Sequence, residues 1–476
     1  GGDVCGVRRV EEEVTGWTSA VLWKMNLDTQ NAAAVLARYL GVPVRAVTFA
    51  GSKDKRAVTV QEIRIKKVTA RRLAQLNNGL RDNVRLGKFV ENLSDPLRLG
   101  DLKGNRFGMV LRDLEENLSE GDIEAAVNSL KTMGFINYFG MQRFGTGGYS
   151  THTIGLKVLK RDFEEANRMI ITPAPLVQGL REPDEQRVRA REALFKFNDG
   201  SMDAATAINY LLPSMGIERT MLQTYAKQEK ATDHDGAFHS LPRTVRLLYV
   251  HAVQSFLFNQ MASLRMKDES TRLFAIRGDL VVQEDDIKKY SQVHLVTAEE
   301  EEKKTYSIHH VVLPILGSAS VLPENETRKV IDDFRSGVDD AVWDNPGVYR
   351  KLMAQPLDVD WKVLRYSDAT ADLMENGFNQ VTETSEGQSR ALRISFSLGS
   401  SEYATMLIRE LTKTDSTIDS QINMQNKAAD EIAEQAAAET AELAGGVDDA
   451  IVDDDVAAAS LTPEKTEKEV FESIEH

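Results

Sequence analysis

The sequence has a single cysteine, Cys5, and no apolar run long enough to cross a membrane as a helix. One cysteine cannot form an intramolecular disulfide, and it argues against a cysteine-based structural zinc site. The first residues also lack the apolar centre of a secretory signal. We therefore expect a protein of the nucleus or the cytoplasm that has no membrane partner.

Proline is also scarce, with 12 residues, while 42% of the 476 residues are hydrophobic and 28% are charged. This composition is typical of globular proteins, and the length allows two or three domains. The sequence contains no Gly-x4-Gly-Lys-Ser/Thr loop, no His-Glu-x-x-His and no complete Gly-x-Gly-x-x-Gly. These absences argue against a nucleotide-hydrolysing or metal-dependent enzyme.

The net charge of −15 is distributed unevenly. Residues 414–476 hold 17 Asp and Glu against 3 Lys, so the rest of the chain is close to neutral. Residues 41–110 are basic, with 15 Lys and Arg against 6 Asp and Glu. A basic stretch on a neutral body is compatible with RNA binding, and an ordinary solvated basic surface is the alternative. The acidic tail has too few large apolar residues to fold, so we expect it to be disordered.

Local signals predict several elements. Alanine and leucine spacing predicts a helix that closes at Gly41, and Ser119 is the expected N-cap of another helix. A long helix is expected after Pro242. Two β-branched runs flank a charged, turn-rich segment, so residues 51–56 should form a loop between strands. Strands that return between helices indicate an α/β or α+β fold.

The charged loop contains the most informative residues, Gly51-Ser-Lys-Asp-Lys-Arg-Ala-Val-Thr-Val-Gln61. Asp54 lies beside Lys53, Lys55 and Arg56, and neighbouring cations favour the ionised carboxylate. An ionised carboxylate in a loop can act as a nucleophile or as a base. Spacing alone leaves an ordinary charged turn as the alternative.

This loop resembles the G-x-K-D-x-x-A-x-T-x-Q signature of the TruD family of RNA pseudouridine synthases. Two further blocks are similar to family motifs: Leu99-Gly-Asp-Leu-Lys-Gly-Asn-Arg-Phe107 and Gly134-Phe-Ile-Asn-Tyr-Phe-Gly-Met-Gln-Arg-Phe-Gly145. Segments 306–314, 392–398 and 403–411 resemble the eukaryotic pseudouridine synthase 7 branch. The sequence departs from the family at Met25, Arg106 and the turn Gly399–Glu402.

The resemblance implies a mixed-sheet catalytic core with a mostly helical TRUD insertion domain. We expect the first part of the catalytic domain at residues 1–150 and the insertion domain at 151–365. Residues 366–413 should complete the catalytic domain, and the acidic tail follows at 414–476. The resemblance also implies an isomerase that turns uridine into pseudouridine without a metal or a cofactor.

Asp54 is the catalytic residue that the resemblance implies, and the expected substrate-binding residues are Lys24, Lys53, Asn105, Phe107 and Arg143. Phe107 should support a flipped base, in place of a tyrosine found in other pseudouridine synthases. Its alternative role is that of a core residue on a strand. Arg143 could pair with Asp54 or with a phosphate, with Tyr138 and Phe139 packed beneath it.

The expected partner is RNA: tRNA first, with small nuclear RNA and messenger RNA as further substrates. A monomer is the expected state, and the nucleus is the expected compartment, with the cytoplasm as a further one. One competing hypothesis is a catalytically silent RNA-binding or RNA-folding protein on the same scaffold. A second is an interaction scaffold that acts through its acidic tail.

Overall fold

The computed structural model describes residues 14–145, 148–174, 184–228, 232–282, 293–335, 338, 346–368, 370–375, 377, 381 and 387–414. The expected tail, apart from its first residue, lies outside them. The strands are β1 (Trp17–Met25), β2 (Val47–Phe49), β3 (Val58–Lys66), β4 (Val84–Leu93), β5 (Gly104–Leu111), β6 (Phe135–Ile136), β7 (Leu280–Val281), β8 (His294–Leu295), β9 (Val311–Ile315), β10 (Val348–Lys351), β11 (Met353–Ala354), β12 (Leu357–Tyr366) and β13 (Ser389–Gly399). The helices are α1 (Thr29–Leu40), α2 (Ala70–Leu76), α3 (Glu120–Met133), α4 (Thr151–Leu159), α5 (Phe163–Ile171), α6 (Glu185–Asn198), α7 (Ala204–Ile208), α8 (Gly216–Tyr225), α9 (His234–His239), α10 (Arg243–Arg265), α11 (Ala298–Glu302), α12 (Arg328–Arg335) and α13 (Ala404–Thr412).

The first sheet has the strand order β2-β3-β1-β4, and its pairings are antiparallel. Ala20 and Leu22 of β1 are buried with the apolar faces of α1 and α2, because one face of this sheet meets a core. The Asp28 side chain caps the start of α1, and Gly41 ends it with a φ of 66°. The loop between β2 and β3 leaves this sheet at one end and carries the first part of the signature motif, which continues into β3 as far as Gln61.

The second sheet has the order β12-β13-β5, again antiparallel. Its central strand β13 buries Ile394, Phe396 and Leu398 in a core shared with α3 and α13. Phe396 lies directly opposite Phe107 on β5. The pairing of β13 with β5 therefore brings the C-terminal part of the chain beside the second family block.

Between β6 and β11 the chain forms a mostly helical region. The N-terminal half of α10 is buried with helices α4 to α9, and its C-terminal half packs on the antiparallel sheet β10-β9-β7-β8. Strand β11 then pairs with β6 and returns the chain to where the region began. Although α10 has 23 residues, no helix in the described part of the chain is long and apolar enough to cross a membrane.

A buried ion pair fixes the C-terminal end of α10. Arg265 donates from Nε and Nη2 to the Asp279 carboxylate at 2.8 to 3.0 Å, and both side chains are almost fully buried. The carboxylate also accepts hydrogen bonds from the Asn325 side chain at 2.7 Å and from the Ile276 N–H at 2.9 Å. Because both charges are out of water, each depends on the other for its stability.

Of the two expected classes, α/β and α+β, the structure has the second. The sheets are antiparallel at every pairing among the described residues, where a mixed sheet was expected. Two neighbouring parallel strands need a crossover connection between them. Strand β3 instead follows β2 after a short loop and pairs with it in the opposite direction, and it is also antiparallel to β1. The connections along the chain thus decide the strand direction.

The expected boundary between residues 365 and 366 falls inside β12. This strand, Leu357–Tyr366, pairs with β13 along most of its length, so the chain has rejoined the second sheet by Leu357. The segment is strand-like in sequence, and such a segment can end an insertion or resume a core. The pairing partner, which the sequence does not specify, decides between the two.

Candidate active site

Asp54 lies in the loop between β2 and β3, as expected, and its residue is exposed to solvent. Within the described residues, its carboxylate takes part in no hydrogen bond or ion pair, so it is not tied into a structural contact. Hydrogen bonds to backbone atoms of the loop hold it in place. An exposed carboxylate on a braced loop is available to a substrate.

Lys24 supports this loop from inside the protein. Its side chain is fully buried, and its ammonium group donates to the carbonyl oxygen of Asp54 at 2.9 Å and to that of Lys53 at 3.4 Å. Burial lowers the pKa of Lys24, and the nearby charge of Asp54 partly opposes this shift. Lys24 was expected to bind substrate, but the contacts that the structure gives it are with the loop backbone.

A chain of hydrogen bonds fixes the same loop from its other side. The Lys53 N–H donates to the Thr29 hydroxyl at 2.9 Å, and this hydroxyl donates to the Gln61 side-chain oxygen at 2.9 Å. The Gln61 amide then donates to the Gly51 carbonyl at 2.9 Å. The direction of each bond is fixed, because a backbone N–H can only donate and a carbonyl can only accept. The first helix and β3 therefore clamp the loop between them.

Replacing Thr29 with valine is expected to loosen the loop without changing the side-chain shape. The Lys53 N–H and the Gln61 oxygen would both lose a buried partner, which costs about 1–3 kcal/mol of unfolding free energy. Displacement of Asp54 should lower kcat by roughly 10- to 100-fold, since small misplacements of reacting groups are costly. Denaturant unfolding and turnover measure the two effects. Thr29→Ser, which keeps the hydroxyl, should stay near the wild type; an equal loss in both variants would contradict the clamp.

Lys53 joins the loop to the second sheet. Its ammonium group donates to the side-chain oxygen of Asn105, at the start of β5, at a distance of 2.7 Å. Burial lowers the pKa of Lys53, while the charge of Asp54 raises it again in part. Asn105 is therefore a partner of Lys53 in this structure, and its amide N–H₂ remains to donate to a substrate.

Phe107 is half-buried on β5 and stacks on Phe396 of β13, with ring centroids 5.5 Å apart and planes 28° apart. The buried Phe396 ring therefore backs one face of Phe107. Partial exposure leaves room for a base on Phe107, and stacking on its neighbour fixes the ring direction. Lys53 and Asn105 thus link the Asp54 loop to the strand that carries Phe107.

Arg143 belongs to a short 3-10 turn, Met141–Arg143, and its guanidinium lies 5.4 Å from the centroid of the Phe139 ring. Phe139 thus packs against it as expected, whereas the Tyr138 hydroxyl is hydrogen-bonded to Ser263 at 2.9 Å. No ion pair joins Arg143 to Asp54 among the residues described. The buried Arg143 Nε has no hydrogen-bond partner in the same part of the chain.

Sequence reasoning did not single out two residues of this region, Thr29 and Arg350. Thr29 reads as an ordinary first residue of a helix, and Arg350 lies in the distal insertion, more than 200 residues from the block that it contacts. Neither residue has a local signal that points to the site.

The residues described contain no group of three or more His, Cys, Asp or Glu that could hold a metal ion.

The family model of tRNA pseudouridine synthase D (TruD) matches residues 5–411 of this chain. The chain belongs to the TruD family. This match spans the Asp54 loop, both further motif blocks and the insertion, so the resemblance given by the motifs is confirmed.

Several curated relatives of this TruD-family chain are named for pseudouridine synthase 7. The human pseudouridylate synthase 7 homolog is 35% identical over 421 residues, which cover 85% of this chain and 60% of the relative. The multisubstrate pseudouridine synthase 7 of Schizosaccharomyces pombe is 35% identical over 439 residues, 83% of this chain and 61% of the relative. The chain therefore spans about three fifths of the length of these relatives.

A solved structure has a similar fold. The Methanosarcina mazei protein described as a tRNA pseudouridine synthase D (TruD) aligns with a TM-score of 0.60 and 23% sequence identity. The alignment covers 84% of this chain and 88% of that protein. At this level of identity the likeness supports the fold assignment.

Proposed function

We propose that this chain isomerises uridine to pseudouridine within RNA and that Asp54 is its catalytic carboxylate. The observation that carries the proposal is the exposed Asp54 carboxylate, on a family-signature loop braced by Lys24, Thr29 and Gln61. A braced loop holds a reacting group in one position, which is what positioning catalysis needs. The basic character of residues 41–110 favours an RNA substrate.

The reaction breaks the N1–C1′ bond of uridine and forms a C5–C1′ bond to the same sugar carbon. The C5 proton is released to solvent and N1 gains a proton, so no atoms are gained or lost overall and no oxidant or reductant is needed. A carboxylate beneath the sugar can stabilise the cationic C1′, attack it or remove a neighbouring proton. Asp54 is suited to each of these roles.

The target base must leave the stack to reach a carboxylate, and the half-buried Phe107 ring would support it there. Replacing Phe107 with leucine is expected to lower kcat/KM by roughly 5- to 150-fold, the value of a base–aromatic stack. Turnover on a transcribed tRNA measures the loss.

Phe163→Leu is the matched control. Phe163 is also half-buried and stacks on a buried phenylalanine, Phe238, with centroids 5.3 Å apart and planes 28° apart, but it lies in the insertion. We expect this variant to keep turnover within about twofold, since surface substitutions away from a site have small effects. Similar losses of turnover in both variants would refute a role of Phe107 in base support.

The RNA class is part of the proposal: tRNA first, with small nuclear RNA and messenger RNA as further substrates. The multisubstrate name of the Schizosaccharomyces pombe relative supports a broad range. We also propose that the protein is a monomer that acts in the nucleus and in the cytoplasm.

The direct test uses tRNA that carries tritium at C5 of its uridines. Formation of the C5–C1′ bond releases this tritium to water, whereas binding alone releases none. Release by the wild-type chain together with pseudouridine in the digested RNA supports the proposal. Retention of tRNA on a filter without tritium release favours instead the catalytically silent RNA-binding protein.

A further inference from the structure

Arg350 of β10 is a buried cation with no carboxylate in ion-pair contact among the described residues. It is 8% exposed, and burial lowers its pKa to about 10. Its guanidinium donates to the Asn137 carbonyl at 2.9 Å, to the Asn137 side-chain oxygen and to the Ser401 carbonyl at 2.7 Å. A buried charge is costly, and the nearby charge of Glu402 opposes the effect of burial on the pKa of Arg350 only in part, so other contacts must help to stabilise it.

Those contacts are aromatic. The Arg350 guanidinium lies 4.3 Å from the ring centroid of Phe139, 5.5 Å from that of Phe258 and 5.9 Å from that of Tyr403. Each ring face attracts a cation, and a desolvated cation gains more from it than an exposed one. The three rings come from the third family block, from α10 and from the segment before α13. Arg350 therefore holds three distant parts of the chain together.

Phe139 is the member of this group that belongs to the candidate site. The Asn259 side chain of α10 accepts from the Phe139 N–H at 2.8 Å and donates to the Phe139 carbonyl at 3.0 Å. The backbone of Phe139 is thus fixed by one helix and its ring by Arg350. The Arg143 guanidinium lies 5.4 Å from the same ring. The ring that supports Arg143 is therefore held in place by the rest of the protein.

Arg143 is half-buried, so part of its side chain reaches the surface. Its guanidinium makes no hydrogen bond or ion pair among the described residues, and its buried Nε has no partner there. The positive charge of Arg143 is therefore held against the Phe139 ring without a protein anion to balance it. A phosphate oxygen suits a guanidinium well.

We propose that Arg350 is a positioning residue that acts through Phe139 and holds the Arg143 guanidinium ready for a phosphate of bound RNA. The proposal rests on the proposed function, because it assigns the ligand of Arg143 within the same site. It makes the insertion, through β10 and α10, a determinant of RNA affinity at the catalytic core.

The test is a double-mutant cycle on the full chain with transcribed tRNA as the probe. Arg350→Lys keeps the charge but loses the planar fork that matches the three oxygen acceptors and the rings. We expect it to raise the Kd for tRNA about 10-fold when Arg143 is present and less than twofold in an Arg143→Ala background, since residues that act together are not additive. Filter binding measures the Kd of all four proteins.

A second variant tests the middle of the connection. Phe139→Leu keeps an apolar side chain but removes the ring, and it should show the same loss and the same dependence on Arg143. It decides the question if Arg350→Lys lowers the thermal midpoint enough to unfold the protein. The matched control is Arg168→Lys, because Arg168 on α5 also lies over a ring, that of Tyr149 at 5.6 Å, and this ring is not the one that supports Arg143. Its Kd should not change in either background.

Equal losses of tRNA affinity with and without Arg143 would overturn the proposal and leave Arg350 with a structural role alone. Failure of the proposed function looks different, because tritium release is measured on the same proteins. A wild-type chain that binds tRNA with the expected coupling but releases no tritium would refute the isomerase and leave the positioning role standing. Tritium release together with additive losses of tRNA affinity would support the isomerase and refute the positioning role.

Discussion

Uridine isomerisation is expected to disappear when Asp54 is replaced by asparagine. Asparagine has nearly the same shape but no charge, so it can neither stabilise C1′ as a cation, nor attack it, nor remove a proton. Loss of the central reacting group lowers kcat on the order of a thousandfold or more. The loop should keep its position, because Lys24 and Thr29 hold it through backbone atoms. Tritium release measures turnover, and filter binding should show that tRNA affinity largely survives.

Asp82→Asn is the matched control for this prediction. It removes the same charge from the same basic stretch, but Asp82 is fully exposed and pairs at the surface with Arg85 at 2.6 Å. We expect its turnover to equal that of the wild type. Asp54→Ala guards against slow deamidation of asparagine back to aspartate. Persistent pseudouridine formation in Asp54→Ala would mean that another group performs the reaction and that the site assignment is wrong.

Among the variants proposed for this protein, Asp279→Asn should cause the largest loss of unfolding free energy. Arg265 would keep its charge in a site that is 4% exposed, with no carboxylate to balance it. Breaking a buried pair from one side costs about 3–5 kcal/mol. The hydrogen bonds from Asn325 and from the Ile276 N–H would also meet a neutral acceptor with half the capacity. Thermal and denaturant unfolding of the full chain measure the change.

Two comparisons make this stability prediction specific. Glu185→Gln removes an ion pair of similar length, 2.5 Å to Arg189, but on the exposed surface of α6, and should leave the thermal midpoint unchanged. The double variant Arg265→Met/Asp279→Leu should be more stable than Asp279→Asn, because it leaves no unpaired charge. If Asp279→Asn unfolded at the wild-type midpoint, the pair would not support the end of α10.

The turn Gly399–Glu402 shows how a departure from the family pattern is accommodated. The Glu402 carboxylate accepts a hydrogen bond from the Gly399 N–H at 2.8 Å and so closes the turn. Burial raises the pKa of Glu402, and this hydrogen bond opposes the shift. Ser401 of the same turn supplies an acceptor to Arg350. A local side-chain contact therefore holds the turn at a place where the insertion, through Arg350, meets the core.

The sequence by itself determined the features that neighbouring residues control. Helix α1 ends at Gly41, Ser119 caps α3 through a full capping box, and α10 begins after Pro242, as the local signals predict. The Asp54 loop lies between two strands for the same reason. These features depend on backbone preferences and capping within a few residues, which do not require any distant contact. The family motifs, being contiguous, were recognisable in the same way.

Tertiary structure alone decided which distant groups meet. Three such contacts leave no local signal in the sequence. They are the burial of Lys24 beneath the loop, the link between Lys53 and Asn105 across 52 residues, and the contact of Arg350 with Asn137 across 213 residues. The antiparallel direction of the sheets and the place of β12 within the second sheet likewise have no local signal in the sequence. Such contacts depend on how separate faces pack and on which buried groups find partners, and those are properties of the folded chain as a whole.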